Sequence, residues 1–453
     1  MTDRLDFETR LQERLRARAA RAPRPFDAAT IAHQAIVAAR PRRRIGALVW
    51  PAPLSGFRWL AVALFLALAL LGAVALAGGL LRKPPPVPKA GVSNGWVAFA
   101  VPQGVRSIND PSDIYLVKDG VTERPIIGSP GDGSRQVCPS FSPDGTRLAY
   151  SEAKINVEQY SIYDVAVVIV TVNAAGVPFG PELRLATPST DVLDACPKWA
   201  PDGQSVAFLT DAKSEPPELW IGHLDGTETR VAGWDAISGG GEPALDLPYL
   251  SLFDWSPDGT AVVAVSDDES SLWIVPIYGG APRLLRRAAP GVHFHSAQWS
   301  PDGTQIAVES YTDPSGSDSV GSIEIYRADG SGSPIELPGA EPNSPSWSPG
   351  GREIAYLQSH PSGPPDIVAL MHDTGDVRVL VSHSLLAGGI SGFVWAPDGT
   401  RLVLSYPYGP PPLGLVSVSV VGDPAAPTAL TQTPFADFEW TGPGNISWQP
   451  VFP

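Results

Sequence analysis

The sequence predicts an all-β chain dominated by a seven-bladed β-propeller, preceded by a transmembrane helix and a short helical cytoplasmic arm. Three observations carry this. A ten-residue pattern, WSPDGTQIAV in its copy at Trp299, recurs at intervals of about fifty residues; 13 Trp, 49 Pro and 45 Gly are spread among 453 residues; and 23 residues near the N-terminus carry no charge. Repeats of that period mark propellers and solenoids, in which each unit buries its faces against its neighbours.

The arm is residues 1–56. Phe7, Leu11 and Leu15 recur at helical spacing, and Asp27 caps a second helix through ATIAHQAIVAAR with Ile31, Ala35 and Ile36 near one face. Residues 1–58 hold 12 Arg and no Lys against 5 acids. Two short basic amphipathic helices dock on a cytoplasmic protein or lie on anionic lipid.

Residues 57–82 form the transmembrane helix, with Trp59 to Leu81 as its uncharged core, which reaches about 34 Å at roughly 1.5 Å per residue. A cleaved signal peptide has an apolar core of about 7 to 15 residues behind a short leader, whereas 58 residues come first here. Arg40, Arg42, Arg43, Arg44 and Arg58 precede the span and only Arg82 and Lys83 follow it directly, so the N-terminus is expected in the cytoplasm and the rest outside it. Residues 83–94 are a linker whose KPPPVPKA run favours a stiff polyproline conformation.

Residues 95–453 carry the repeats. FSPDGTRLAY at Phe141, WAPDGQSVAF at Trp199, WSPDGTAVVA at Trp255, WSPGGREIAY at Trp347 and WAPDGTRLVL at Trp395 join the Trp299 copy. Their prolines are 58, 56, 44, 48 and 48 residues apart, and ISWQP places Pro450 another 53 on. In each copy apolar alternation on both sides of Pro-Asp-Gly predicts a hairpin: proline presets φ, the aspartate bonds nearby backbone, and glycine takes positive φ. Asp144, Asp202, Asp258, Asp302 and Asp398 are therefore read as turn formers, a role compatible with Gly350 at the matching place in the Trp347 copy.

A third apolar run (ELWIG, SLWIV, SIEIY, DIVAL) and a fourth after a further Gly-containing turn complete four strands per copy. GWVAFA at Gly95 matches a second strand and ISWQP a first. The C-terminal segment is thus expected to supply the innermost strand of the first blade, giving seven. Recurrence of Phe141, Trp199, Trp255, Trp299, Trp347, Trp395 and Trp448 at one position fits packing between blades better than a ligand-stacking stripe.

These copies resemble the WD40-like repeats of TolB-type propellers. The resemblance implies the propeller fold; such propellers occur in binding proteins, in periplasmic assembly factors and as gates of prolyl-oligopeptidase-like enzymes, so it leaves function open. TolB proper carries an α/β domain before its propeller and no membrane anchor, so membership of its envelope complex is not implied.

No catalytic constellation emerges, and no cofactor is expected. Three residues follow Pro450, so no α/β-hydrolase domain is expected after the repeats. Gly91-Val-Ser-Asn-Gly95 matches G-x-S-x-G but follows the proline-rich linker, where a nucleophile elbow joins strand to helix; GISGF has Phe393 in place of the second glycine. His293 and His295, alternate residues just before an innermost strand, are the candidate metal pair, without a third ligand. Asp267-Asp268-Glu269 lacks the alternating calcium-loop pattern and reads as a polar turn. Cys138 and Cys196, each three residues before a repeat aromatic, either form a disulfide between neighbouring blades or stay as two buried thiols. His33 belongs to no zinc-type anti-sigma motif, because residues 1–81 have no cysteine.

Residues 59–453 carry 20 basic residues against 42 acids, a balance that repels phosphate backbones and excludes nucleic acid as a partner of the propeller. The expected function is a membrane-anchored, extracytoplasmic, non-catalytic propeller that binds a protein, peptide or envelope polymer. A transmembrane regulator with the propeller as sensor, and a hydrolase or lyase centred in the channel, are the alternatives.

Overall fold

A computed structural model describes residues 92–452 apart from 103–110, 119–120, 128–133, 157–160, 187–195, 213–214, 232, 235–236, 238–252, 267, 313–319, 338–344, 359–364, 372–373, 383, 385–389, 391, 407–413, 422–427 and 431–445. The expected arm and transmembrane helix lie outside the described residues. Among the described residues no helix is long and apolar enough to cross a membrane.

The described chain is β-structure throughout. An eight-stranded sheet holds β1 (Ser93–Pro102), β2 (Ser112–Lys118), β3 (Val121–Ile127), β4 (Ser134–Phe141), β5 (Arg147–Asn156), β6 (Ser161–Val172), β7 (Pro178–Ala186) and the last strand, β28 (Ile446–Val451). Five separate four-stranded sheets follow. They are β8 (Lys198–Trp199), β9 (Ser205–Ala212), β10 (Glu215–His223) and β11 (Glu228–Arg230); then β12 (Phe253–Trp255), β13 (Ala261–Val265), β14 (Ser271–Pro276) and β15 (Arg283–Arg287); then β16 (Val292–Trp299), β17 (Gln305–Thr312), β18 (Val320–Arg327) and β19 (Ile335–Glu336). The last two are β20 (Ser346–Trp347), β21 (Glu353–Gln358), β22 (Asp366–Met371) and β23 (Val377–Val381), and β24 (Gly392–Trp395), β25 (Arg401–Tyr406), β26 (Gly414–Ser419) and β27 (Thr428–Ala429).

The expected count of seven separate blades is corrected: five stand as separate sheets. The strands expected to make two more are continuous, because β2 and β4 meet in a parallel pair at Ser112 and Arg135. Ser112 Oγ donates to the Gln136 carbonyl at 2.7 Å beside that junction. At the other edge β28 pairs antiparallel with β1 from Ser93–Val451 to Phe99–Ile446, so the two ends of the described chain share one sheet.

Inner strands touch their neighbours: β4 meets β8, β12 meets β16, β20 meets β24, β24 meets β28, and β28 meets β4. Sheets stacked in this way cover both faces of each strand, which explains runs such as AVVAV in β13, buried at every position. Val262 and Ala264 pack toward Trp255, Ala207 and Leu219, while Val263 and Val265 pack toward Phe294, Ile306 and Val308. Period-two alternation therefore serves two apolar layers at once.

The repeat turns fasten one copy to the next. Asp302 Oδ1 accepts from Ser300 Oγ at 2.6 Å, Thr304 N at 2.9 Å and Thr304 Oγ1 at 2.8 Å. Asp144 and Asp258 make the same three bonds. Asp398 accepts from the Thr400 amide and hydroxyl, and Asp202 from the Gln204 amide. Where Gly350 replaces the aspartate, Ser348 Oγ still accepts from Glu353 N at 3.1 Å. The following glycine has φ of 70° at Gly145 and 73° at Gly303, conformations that side-chain-bearing residues rarely adopt. Each of these glycines also faces the preceding copy's proline: Gly203 lies beside Pro143, Gly259 beside Pro201, Gly303 beside Pro257, Gly351 beside Pro301 and Gly399 beside Pro349. Gly145 lies against Pro450, which extends the series across the chain ends.

Candidate functional site

The repeat aromatic settles the orientation of the residue before it. Phe141, Trp199, Trp255, Trp347 and Trp395 are buried. Indole N–H groups tie neighbouring inner strands together, with Trp199 donating to the Ser140 carbonyl at 2.9 Å, Trp255 to Lys198 at 3.0 Å and Trp395 to Ser346 at 3.0 Å. The preceding residues, Ser140, Lys198, Asp254, Gln298, Ser346, Val394 and Ser447, are all half-buried.

Their registers are equivalent. Ser140, Lys198, Gln298, Ser346 and Ser447 pair with Ala149, Ala207, Ala307, Ala355 and Ala98, and Asp254 and Val394 pair with Val263 and Val403. Those partners on the second strands are fully buried. With its second strand on one side and its neighbours on the flanks, an inner strand keeps accessible surface toward the ring axis. The seven residues therefore form one level of a collar around that axis.

Two groups in the collar carry charge. Asp254 Oδ2 accepts from the Trp299 amide at 2.9 Å, just as Ser447 Oγ accepts from the Phe141 amide at 2.9 Å. Burial raises the Asp254 pKa, although the Lys198 charge and the Trp299 and Trp255 amides oppose it. Burial likewise lowers the Lys198 pKa against the pull of Asp254. Lys198 Nζ donates to the Phe253 carbonyl at 2.5 Å and lies 5.2 Å from the Phe253 ring centroid.

A second cluster gathers where β16 and β17 meet the turn between β13 and β14. His293 pairs with Tyr311 across the hairpin, and a bulge between Phe294 and Ser296 brings His295 to the same ring. The two imidazoles lie 5.8 and 5.9 Å from the Tyr311 centroid, one stacked and one edge-on. His293 Nδ1 is 3.4 Å from Glu269 Oε2, and His295 Nδ1 is 3.5 Å from Glu309 Oε2. Tyr311 donates to Glu269 at 2.8 Å and Ser296 to Glu309 at 3.0 Å.

Burial lowers the tendency of His295 to hold a proton, but the hydrogen bond to Glu309 and the charges of Glu309 and Glu269 outweigh it and raise its pKa. Burial, with the Glu269 bond and the two carboxylates, raises Tyr311. Glu269 itself sits at φ 56°, and its carbonyl accepts from Phe294 N at 2.8 Å. The structure thus brings the predicted histidines together, each with its own carboxylate. Among the described residues no group of three or more His, Cys, Asp and Glu is arranged to hold a metal.

Asp268 acts within its turn, accepting from Ser266 Oγ at 2.6 Å and Ser270 Oγ at 2.7 Å. Cys138 and Cys196 are joined by a disulfide with Cα atoms 5.2 Å apart, packed on Ala100 and Val137. The segment GVSNG begins outside the described residues and runs into β1. The collar has a signal in the sequence that the repeat aromatic overshadows: a polar residue precedes the aromatic in every copy except the one with Val394.

No family model matches the chain. A Bacillus subtilis protein named as an uncharacterized peptidase, YuxL, is 31% identical over 136 residues, 29% of this chain and 18% of its own length. A Bacteroides uniformis structure named as a candidate 6-phosphogluconolactonase overlays with a TM-score of 0.50 at 14% identity, covering 78% of this chain and 99% of that one. TolB from Acinetobacter baumannii overlays at 0.41 with 20% identity over 64% of each chain. The chain therefore spans less than a fifth of the curated relative and under two thirds of that TolB. At these identities the overlay with the Bacteroides protein speaks for the propeller fold alone.

Proposed function

We propose that this chain is a ligand-binding propeller, held outside the membrane by residues 57–82 with its N-terminus in the cytoplasm, and that it acts without catalysis on a protein, peptide or envelope polymer. The observation that carries the reading is the collar, a level of half-buried side chains around the ring axis, all polar but Val394. The reactive groups nearby are occupied with one another: Tyr311 and Ser296 donate to Glu269 and Glu309, and each histidine turns Nδ1 toward the same carboxylates. Such pairing supports a rigid cluster rather than an activated nucleophile.

Native mass spectrometry of the full-length protein after incubation with cell-envelope extract tests this. A bound mass that disappears when Gln298→Leu and Ser346→Leu fill the collar is expected; no bound mass, or one indifferent to both substitutions, refutes the reading.

The convergence of His293, His295, Glu269, Glu309 and Tyr311 favours a second reading, the channel-centred hydrolase or lyase, with this cluster as its reactive group. Turnover of lactone, ester or uronide substrates that falls at least tenfold in His295→Ala supports it, and no turnover across those classes removes it.

A further inference from the structure

Lys198 and its neighbours in the collar differ in how their hydrogen-bonding capacity is used. Asp254 is supplied with donors by the backbone of Trp299 and Trp255. An ammonium group has three donors, and among the described residues Lys198 engages one acceptor, the Phe253 carbonyl. Asp254 acts on it through its field, and no carboxylate lies within salt-bridge distance of Lys198 among the described residues.

Along the same level, the side chains of Ser140, Gln298 and Ser346 have no hydrogen-bond partner among the described residues, and Ser447 Oγ, which accepts from Phe141, still has its proton to donate. All are half-buried, and each holds the equivalent register against its own second strand. A cation with two donors unengaged among the described residues, sharing its level with Asp254 and with neutral groups that both donate and accept, is complementary to a single oxyanion carried on a hydroxyl-bearing frame.

We propose that the collar is a binding site for a polyhydroxylated carboxylate, the carboxylate meeting Lys198 Nζ and the hydroxyls meeting Gln298, Ser346, Ser140 and Ser447. The inference rests on the reading of the ring axis as the binding site and adds the ligand's chemistry. Asp254 limits the site to one anionic group, since a second beside it meets like charge. The acidic surface repels anions at long range, so binding strengthens as salt screens that repulsion while the short contact at Lys198 persists. Lowering of the Lys198 pKa by burial adds that binding weakens as the solution becomes alkaline.

The test is calorimetric titration of the full-length protein in detergent with D-gluconate and, as the uncharged counterpart, D-glucose. Gluconate is expected to bind at least tenfold more tightly than glucose; Lys198→Met is expected to remove that preference, and Lys198→Arg to retain most of it. In parallel, reductively ¹³C-methylated wild-type protein is titrated, and the Lys198 resonance is expected to shift with gluconate only, a readout independent of whether Lys198→Met folds. Equal binding of the two sugars, undiminished binding by Lys198→Met, or an unmoved Lys198 resonance at saturating gluconate overturns the proposal. Failure here alongside a collar-dependent envelope ligand removes the carboxylate and leaves the binding site; failure of both removes the site.

Discussion

The disulfide between Cys138 and Cys196 offers the most calculable perturbation. It closes a loop of 58 residues, and confining such a loop in the unfolded chain removes about 14 cal/mol/K, or about 4 kcal/mol at 25 °C. Both cysteines are buried beside Ala100 and Val137, so serine would add a polar cost that alanine avoids. The double variant Cys138→Ala, Cys196→Ala should therefore lose about 4 kcal/mol. A repeat domain of about 360 residues unfolds with an entropy near 0.75 kcal/mol/K, so its Tm should fall by about 5 to 6 °C. Calorimetry of the oxidised protein, the reduced protein and the double variant measures this, with mass spectrometry reporting the bond. Melting of all three within about 1 °C, with the bond shown to be present in the first, would refute the loop-entropy argument.

Three further outcomes follow from the packing and the charges. Gly145→Ala places a methyl group into the Pro450 carbonyl at φ 70°, whereas Gly180→Ala at φ 79° meets open space; urea unfolding should show a loss above roughly 3 kcal/mol for the first and about 1 kcal/mol for the second. Trp255→Phe removes the indole donor to the Lys198 carbonyl while keeping most of the apolar contact, and should cost about 1 to 2 kcal/mol in the same assay, against about 3 to 5 kcal/mol for Trp255→Ala. Because the folded-state pKa of His295 is raised above 6.5, its contribution to stability is full below that value and is lost as pH rises through the raised one. Glu309, Glu269 and Tyr311 face this imidazole, so Glu309→Gln should flatten the decline that the wild type shows as pH rises above 6.5, and parallel curves for variant and wild type would remove the assignment.

The turn chemistry was legible because it is local. Ser300, Pro301, Asp302, Gly303 and Thr304 bond within five residues, and repetition makes the same pattern visible six times. Pairing of β28 with β1 was legible for a related reason: GWVAFA and ISWQP are each half of a hairpin that is complete elsewhere. What the sequence withheld lies between sheets. Continuity of the eight-stranded sheet depends on Ser112 meeting Arg135, two residues with no pattern in common. His293 and His295 are visible as alternate residues, but Glu269 arrives from the neighbouring sheet, out of a stretch whose sequence shows only an acidic turn. Lys198 is hidden differently: it precedes the buried Trp199, and a single lysine beside a core aromatic has no pattern that marks it as facing the axis.

Pairing of Trp96 and its neighbours with Gln449 and the rest of β28 also sets an order of events during synthesis. These partners are 353 residues apart, so β1 waits roughly 20 to 70 seconds at ordinary elongation rates before its partner leaves the ribosome. Throughout that interval the edge of β1 that β28 will cover is an open template for other chains. The β1–β28 pairing thus cannot precede the synthesis of residue 446, and a chain stalled before that point leaves a seam without its second half.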